Sequence, residues 1–171
     1  MLSAVKSDEK FLNKSMDWNF PIPIAYGPGR LNEISAFCSK FKISNPLIIT
    51  DKGSKKLPFV SRLTTLLRNA SIQSQLFYGI SPNPRDDEIN AGCIAYRKGN
   101  HDGIIAIGGG SALDGAKAIG MTVNSGVDLW DFEYRKPEPI LNSSDCFPTF
   151  ITIPTTAGTG AETESTAMVT D

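Results

Sequence analysis

The sequence has few of the side chains from which many enzymes build their reactive centres. It contains one histidine, His101, and three widely separated cysteines with no Cys-x-x-Cys spacing, Cys38, Cys93 and Cys146. A zinc site therefore lacks its usual ligands. An odd number of scattered cysteines is instead typical of reduced, structural thiols in the cytosol.

Charge and hydropathy argue against a protein that binds nucleic acid or an anionic membrane surface, and against one that spans a membrane. The 17 basic residues nearly balance the 18 acidic ones, and a net charge of -1 gives no basic excess for nucleic acid or an anionic membrane. The apolar runs are only a few residues long, far short of a bilayer span. Residues 1–18 form a polar leader of mixed charge without the apolar core of a secretory signal, which predicts a cytoplasmic location.

Helix-like and strand-like apolar patterns alternate along residues 19–171, which we assign to one domain. Helices are predicted at 30–41, 59–69 and 86–98, and strands at 22–26, 46–51, 72–78, 104–107, 150–153 and 167–170. Strands separated by helices of this length form parallel β-α-β units with right-handed crossovers. The expected fold class is therefore α/β, a Rossmann-like parallel sheet with flanking helices.

The densest signal is the segment Gly103–Gly120, which reads as a short strand, a glycine turn and the start of a helix. Gly108, Gly109 and Gly110 remove every Cβ between strand and helix, so a bulky ligand group can approach the backbone. Ser111 suits an N-cap, and the free N–H groups of a helix start favour an anion such as a diphosphate. The spacing is neither Gly-x-Gly-x-x-Gly nor a P-loop, and a tight turn without ligand explains the glycines equally well.

Two aspartates are candidates for ligand contacts. Asp51 ends an apolar strand, where a carboxylate can accept both hydroxyls of an adenosine ribose and repel a 2′-phosphate, favouring NAD over NADP. Taken alone, a turn aspartate before Lys52 and Gly53 explains it better. Asp114 lies in the first turn of the helix, where it can face a ligand, favour the helix dipole or pair with Lys117.

Hydroxyl and amide side chains follow two other strands. Thr155, Thr156 and Thr159 lie in a Pro-Thr-Thr-Ala-Gly-Thr-Gly loop, and their hydroxyls suit phosphate or nicotinamide. A flexible turn explains the glycines of this loop but not three threonines in five residues. Asn83 lies between two prolines that stiffen its loop, so its amide is either aimed at a ligand or part of a turn.

These loops share one position relative to the predicted sheet. Because the carboxyl ends of parallel strands meet at one edge, we expect the loops to converge there, where α/β sheets bind ligands. The loops concerned are 51–53, 81–84, 108–111 and 154–160. His101 precedes a strand, so we expect it at the opposite edge, in a surface turn.

Together the motifs resemble the iron-containing (group III) alcohol dehydrogenase family. The matching stretches include Pro-Asn-Pro ending at residue 84, Gly-Gly-Gly-Ser-Ala-Leu-Asp-Gly-Ala-Lys ending at residue 117 and Ile-Pro-Thr-Thr-Ala-Gly-Thr-Gly-Ala-Glu ending at residue 162. The resemblance implies a nucleotide domain whose cofactor contacts come from Asp51, Asn83, Gly109, Gly110, Ser111, Asp114, Thr155, Thr156 and Thr159. It implies NAD as the cofactor, with NADP less favoured.

The resemblance also shows what this chain lacks. Family members hold a divalent metal, iron or zinc, with one aspartate and three histidines on a following helical domain, and no residue here matches those positions. No residue of this chain is therefore given a catalytic or metal-ligand role. We expect a nucleotide domain that is incomplete at its C-terminal end and inactive by itself. The full-length enzyme would act on a small alcohol or aldehyde, and a homo-oligomer is compatible with this assignment.

Two other functions remain open. One is a catalytically silent nucleotide-binding or interaction module. The other is a lyase relative, because dehydroquinate synthase shares the general fold and a similar glycine loop. The threonine loop at 155–160 favours the alcohol dehydrogenase branch.

Overall fold

The computed structural model describes residues 15–19, 22–141, 143 and 146–171. Two short strands, β1 (Met16–Asn19) and β2 (Pro23–Tyr26), pair antiparallel at the start of the described chain. β1 begins inside the range that the sequence assigned to a polar leader, whose first 14 residues lie outside the described part.

Four further strands form a parallel sheet, as the α/β pattern predicts. They are β3 (Pro46–Asp51), β4 (Gln75–Ile80), β5 (Gly103–Gly108) and β6 (Thr149–Pro154), in the order β4-β3-β5-β6. β3 and β5 are neighbours although β4 lies between them in sequence, so the strand order reverses beside β3. The crevice outside the carboxyl ends of β3 and β5 is therefore the topological switch point, where open α/β sheets bind ligands.

Four helices cover the two faces of this sheet. α1 (Ile34–Lys40) and α2 (Pro58–Asn69) pack on one face, and α3 (Asp86–Lys98) and α4 (Gly110–Thr122) pack on the other. Among the described helices, none combines the length and the hydropathy that a transmembrane segment needs.

The continuous apolar runs of β3 and β5 follow from this two-sided cover. Successive side chains of a strand point to opposite faces, so Ile48 and Ile105 pack against α1 and α2, whereas Leu47 and Ile104 pack beneath α3 and α4. All four side chains are almost fully buried. Complete burial of one such side chain contributes roughly 1.5–3 kcal/mol.

The strand predicted at 167–170 is wrong. This segment runs beside the loop that precedes α3 and makes one isolated bridge, between Thr170 and Arg85, because no strand lies next to it to form a ladder. The strand predicted from residue 72 begins at Gln75, since the Ile72 N–H donates to Leu67 O at 3.0 Å and is used to close α2.

Candidate functional site

The glycine turn joins β5 to α4 at the switch point. Gly108 has φ 152°, and a Cβ built there would lie 2.6 Å from Ala112 Cβ, so a side chain at this position would collide with the first turn of α4. The helix begins at Gly110 with Gly109 as its N-cap, so the prediction that Ser111 caps it is wrong. The glycines allow the helix to start two residues earlier, which leaves Ser111 within the first turn.

Asp51 lies at the same edge, and its two carboxylate oxygens have different surroundings. Its Oδ1 accepts a hydrogen bond from Ser54 N at 2.9 Å, which is the ordinary contact of a turn aspartate. Its Oδ2 would lie 3.2 Å from a Cβ on Gly108. The turn therefore occupies one carboxylate oxygen, and the other faces the glycines across the switch point.

The threonine loop closes over the glycine turn. Thr155 N donates to Gly108 O at 2.9 Å, which extends the pairing of β6 with β5 by one hydrogen bond. A Cβ built on Gly109 would lie 3.2 Å from Thr156 Oγ1, and one on Gly110 would lie 3.5 Å from Thr159 Cβ. Three of the four predicted loops, those after β3, β5 and β6, therefore meet at one place.

Asn83 lies at the tip of the fourth loop, after the edge strand β4. It is exposed and has a left-handed backbone, with φ 57°. In the part of the chain that the structure describes, its amide makes no hydrogen bond to the glycine turn. This loop is instead joined to the loop after β3 through a buried carboxylate, that of Glu88.

Glu88 is a residue that the sequence analysis missed. It is 5% exposed and accepts hydrogen bonds from Lys52 Nζ at 2.5 Å, Ser81 N at 3.0 Å and Ser81 Oγ at 2.9 Å, with Arg85 N at 3.3 Å. Burial alone would raise the pKa of Glu88, but the hydrogen bonds from Lys52, Ser81 and the Arg85 backbone lower it to about 2. A glutamate three residues into a helix was the available signal, because that position can reach back to the helix start.

Asp114 and Lys117 form the predicted pair, with Asp114 Oδ1 and Lys117 Nζ 3.1 Å apart. Both also hold the segment after the threonine loop. Asp114 Oδ2 accepts from Met168 N at 3.2 Å, and Lys117 Nζ donates to the carbonyls of Glu164 and Thr166. Asp114 therefore contacts this segment as well as Lys117, and its predicted contact with a ligand stays a prediction.

His101 lies at the opposite edge of the sheet, but it is not in a surface turn as predicted. It is 7% exposed, with Nδ1 2.9 Å from Asn45 O and Nε2 3.1 Å from Gln75 Oε1. Its ring also packs against that of Tyr96. Both ring nitrogens are used to join neighbouring segments, which is why a polar side chain is tolerated there.

The described residues do not form a metal centre. Over 15–19, 22–141, 143 and 146–171, no group of three or more His, Cys, Asp or Glu side chains is arranged to hold a metal ion. Cys38 and Cys93 are buried free thiols, and burial raises the pKa of Cys38 to about 11. Such thiols are poor nucleophiles and poor metal ligands at neutral pH.

The same edge fits a dinucleotide. The turn has no Cβ at three successive positions, and the first N–H groups of α4 have no acceptor within the helix, so a diphosphate can approach them closely. Within the described chain, the hydroxyls of Ser111, Thr155 and Thr156 make no hydrogen bond to protein, and all three are at least partly exposed. A carboxylate oxygen at the switch point supplies an acceptor for a ribose hydroxyl.

Known proteins are similar to this chain in sequence over most of its length. Choline dehydrogenase from Bacillus subtilis is 33% identical over 160 residues, which are 94% of this chain and 39% of that protein. NADH-dependent butanol dehydrogenase A from Clostridium acetobutylicum is 31% identical, covering 92% of this chain and 39% of that protein. The chain thus spans about two-fifths of the length of the curated relatives that it matches.

Solved structures agree. The crystal structure of a 1,3-propanediol oxidoreductase superimposes with a TM-score of 0.72 at 30% identity, over 88% of this chain and 37% of that one. Sulfoacetaldehyde reductase from Bifidobacterium kashiwanohense, solved in complex with NAD+, superimposes with a TM-score of 0.67 at 30% identity, over 80% of this chain and 35% of that one. The family model for iron-containing alcohol dehydrogenases matches residues 21–171, and with the glycine and threonine loops at one sheet edge this chain belongs to that family.

Proposed function

We propose that this chain is the cofactor-binding part of an NAD-dependent oxidoreductase that interconverts a small alcohol and its aldehyde in the cytoplasm. The observation that carries the proposal is the meeting of Asp51 Oδ2, the glycine turn and the threonine loop at the switch point. Among the relatives, one is named as NADH-dependent, one was solved in complex with NAD+ and one is named as NADPH-dependent, so the choice between the two cofactors rests on Asp51. Residues 19–171 then act as one nucleotide-binding domain.

Each group at the edge has a role toward the dinucleotide. Gly109, Gly110 and Ser111 take the diphosphate at the start of α4, because backbone N–H groups there bind anions. The hydroxyls of the threonine loop, on Thr155, Thr156 and Thr159, contact the phosphate and nicotinamide end. Asn83 lies toward the adenosine half, and Asp114 positions the segment after the threonine loop.

Asp51 sets the choice between the two nicotinamide cofactors. A carboxylate accepts from the ribose hydroxyls of NAD and repels the 2′-phosphate of NADP. The Ser54 N–H already holds one oxygen in place, so the second is aimed without further ordering of the side chain. NAD is therefore the preferred cofactor.

The bound cofactor supplies a nicotinamide ring that accepts a hydride from the alcohol. This chain contributes binding and orientation of that ring. In this family a metal activates the alcohol oxygen. The described residues offer no group of three or more His, Cys, Asp or Glu side chains that could hold one. We therefore propose that the 171 residues bind nucleotide but do not turn over alcohols alone.

The test is calorimetric titration of the chain with NAD+, with Gly109→Val as the variant and Gly120→Ala as the matched control. A side chain at Gly109 projects toward Thr156 and fills the space between the glycine turn and the threonine loop, which we call the cradle. NAD+ affinity therefore falls at least about tenfold. A Cβ at Gly120, at the other end of α4, meets Phe150 at an ordinary 3.4 Å, and affinity is unchanged. Equal affinity for both variants would refute the cradle.

Assays with NAD+, alcohols and added iron or zinc separate the alternatives. A silent nucleotide-binding module and this cofactor-binding part both bind NAD+, but only the latter gains activity when a metal-binding domain of a relative is supplied. A lyase relative would convert its substrate without net consumption of NAD+. Robust alcohol turnover by the 171 residues themselves would contradict the view that a metal-binding part is needed.

A further inference from the structure

Two opposite charges stand side by side at the carboxyl end of β3. Asp51 faces the glycine turn, and Lys52 follows it directly. In dinucleotide sites a cation near the ribose-binding acid is the group that accommodates a 2′-phosphate. By sequence alone, Lys52 is therefore placed to weaken the discrimination that Asp51 provides.

The structure directs Lys52 away from that task. Its backbone N–H donates to Ile80 O at 2.8 Å, and its Nζ donates to Glu88 Oε1 at 2.5 Å. The lysine side chain is 53% exposed, whereas that of Glu88 is 5% exposed. The buried partner is thus fixed, and it determines where the exposed partner points.

Glu88 is itself held from several directions. Its Oε2 accepts from Ser81 N, Ser81 Oγ and Arg85 N, so the carboxylate cannot swing to follow Lys52. The next lysine of the turn is also engaged, because Lys55 Nζ lies 4.1 Å from the centre of the Tyr78 ring. Two cations of the turn after β3 are therefore occupied within the protein.

We propose that Glu88 is a specificity-determining residue, which withholds Lys52 from the nucleotide site and so strengthens the preference for NAD over NADP. The inference rests on the proposed function, because it requires Asp51 to face the adenosine ribose. Glu88 acts through Lys52 and need not touch the cofactor. Its effect is a change in the ratio of two affinities and is separable from any loss of stability.

The experiment uses Asp51→Asn as the background, because asparagine keeps the acceptor for Ser54 N and removes the charge that repels a 2′-phosphate. The 171-residue chain is titrated with NAD+ and NADP+ by calorimetry. Adding Glu88→Gln frees Lys52, and NADP+ affinity relative to NAD+ rises about tenfold, as expected for one charge-assisted bond to phosphate. Adding Lys52→Gln to that double variant abolishes the gain.

Two controls separate this effect from general disturbance. Asp87→Asn removes an exposed carboxylate from the same turn of α3, where it pairs with Arg85 Nε at 2.9 Å, and leaves the ratio unchanged. Lys52→Gln in the Asp51→Asn background, with Glu88 intact, also leaves NADP+ affinity unchanged, since Lys52 is already committed. This second measurement does not depend on the folding of any Glu88 variant.

Three results would overturn the inference. They are an unchanged ratio in a folded Asp51→Asn/Glu88→Gln chain, a gain that survives Lys52→Gln, and a loss of NADP+ affinity when Lys52 alone is changed beside intact Glu88. Circular dichroism and thermal unfolding show whether each variant is folded. Absence of NAD+ binding by the unaltered chain would contradict the proposed function instead, so the two failures are distinguishable.

Discussion

The two edges of the parallel sheet carry similar polar side chains and use them in different ways. At the amino edge, Asp102 accepts hydrogen bonds from Ser44 N at 2.8 Å, Ser44 Oγ at 2.5 Å and Asn45 N at 2.8 Å. Both ring nitrogens of His101 have protein partners there as well. Polar groups at this edge hold loops to strands and leave little bonding capacity for a ligand.

At the carboxyl edge Glu88, Asp114 and Lys117 also have protein partners, but other described polar groups do not. In the ranges that the structure describes, the hydroxyls of Ser111 and Thr156 have no protein partner, and Asp51 uses one oxygen within its turn. Because these hydroxyls are at least partly exposed and have no protein partner, they are available to bond to a ligand, which supports the proposed site. The partners of a polar residue, more than its type, therefore distinguish the structural edge from the edge proposed to bind the cofactor, here called the binding edge.

The largest expected effect comes from the glycine that makes the binding edge. Gly108→Ala combines a strained φ of 152° with a 2.6 Å contact to Ala112 Cβ, and we expect a loss of about 4 kcal/mol in the free energy of unfolding. Urea denaturation measures it. Gly158→Ala is the matched control, because Gly158 has φ 90° but no atom within 4 Å of a built Cβ, and it costs about 1 kcal/mol. Equal losses would mean that close approach to α4 is unimportant.

The second effect depends on pH and concerns Glu88, the carboxylate at the binding edge that is fully used within the protein. Its pKa is about 2 in the fold against an ordinary 4.5, so between these values the unfolded chain binds more protons and stability rises with pH. The contribution, about 2 kcal/mol, is complete above the ordinary pKa and is lost as pH falls toward 2. Urea denaturation across this range checks it. Glu88→Gln should show a flatter profile, and parallel profiles would contradict the assignment.

The third prediction tests the structural edge. Asp102→Ala leaves the N–H groups of Ser44 and Asn45 without their acceptor, and we expect stability to fall by about 1.5 kcal/mol. NAD+ affinity should not change, because this edge lies at the other end of the strands. Denaturation and calorimetry on the same variant test both halves. A loss of NAD+ affinity in a folded variant would break the distinction between the edges.

The smallest effect is the mirror image of the third. Thr156→Val removes an exposed hydroxyl with no protein partner and retains its shape, so stability should change by less than about 0.5 kcal/mol. NAD+ affinity should fall about fivefold, the equivalent of one hydrogen bond of about 1 kcal/mol. Thr64→Val, in α2, removes a hydroxyl far from the binding edge and serves as the control. An unchanged affinity for Thr156→Val would exclude that hydroxyl from the site.

Elements with strong local patterns were predicted closely. The strand at 46–51 and the helix at 86–98 agree with the structure residue for residue. A continuous apolar run and an apolar stripe at helical spacing both depend only on residues that are close in sequence. The segment 167–170 also has a local strand pattern, but a strand needs a neighbour. Its neighbour here is a loop, so one bridge forms instead of a ladder.

The candidate site was predicted in part for the same reason. The position of Asp51 at a strand end and the Cβ-free turn are properties of sequence, and they place three loops at one edge once the sheet is parallel. The burial of His101 and the capture of Lys52 by Glu88 are not written locally. The two partners of His101 lie 26 and 56 residues away in the chain, and Glu88 lies 36 residues from Lys52.

The sequence by itself determined the alternation of strands and helices, the bare glycine turn and the family to which the chain belongs. These follow from short-range periodicity, from the absence of Cβ atoms at three successive positions and from motifs that match the family. Only the tertiary structure decided which charged side chains pair with other protein groups and which face the crevice. A charged side chain pairs firmly within the protein only where other segments exclude water and supply a partner group. Those segments are distant in the chain.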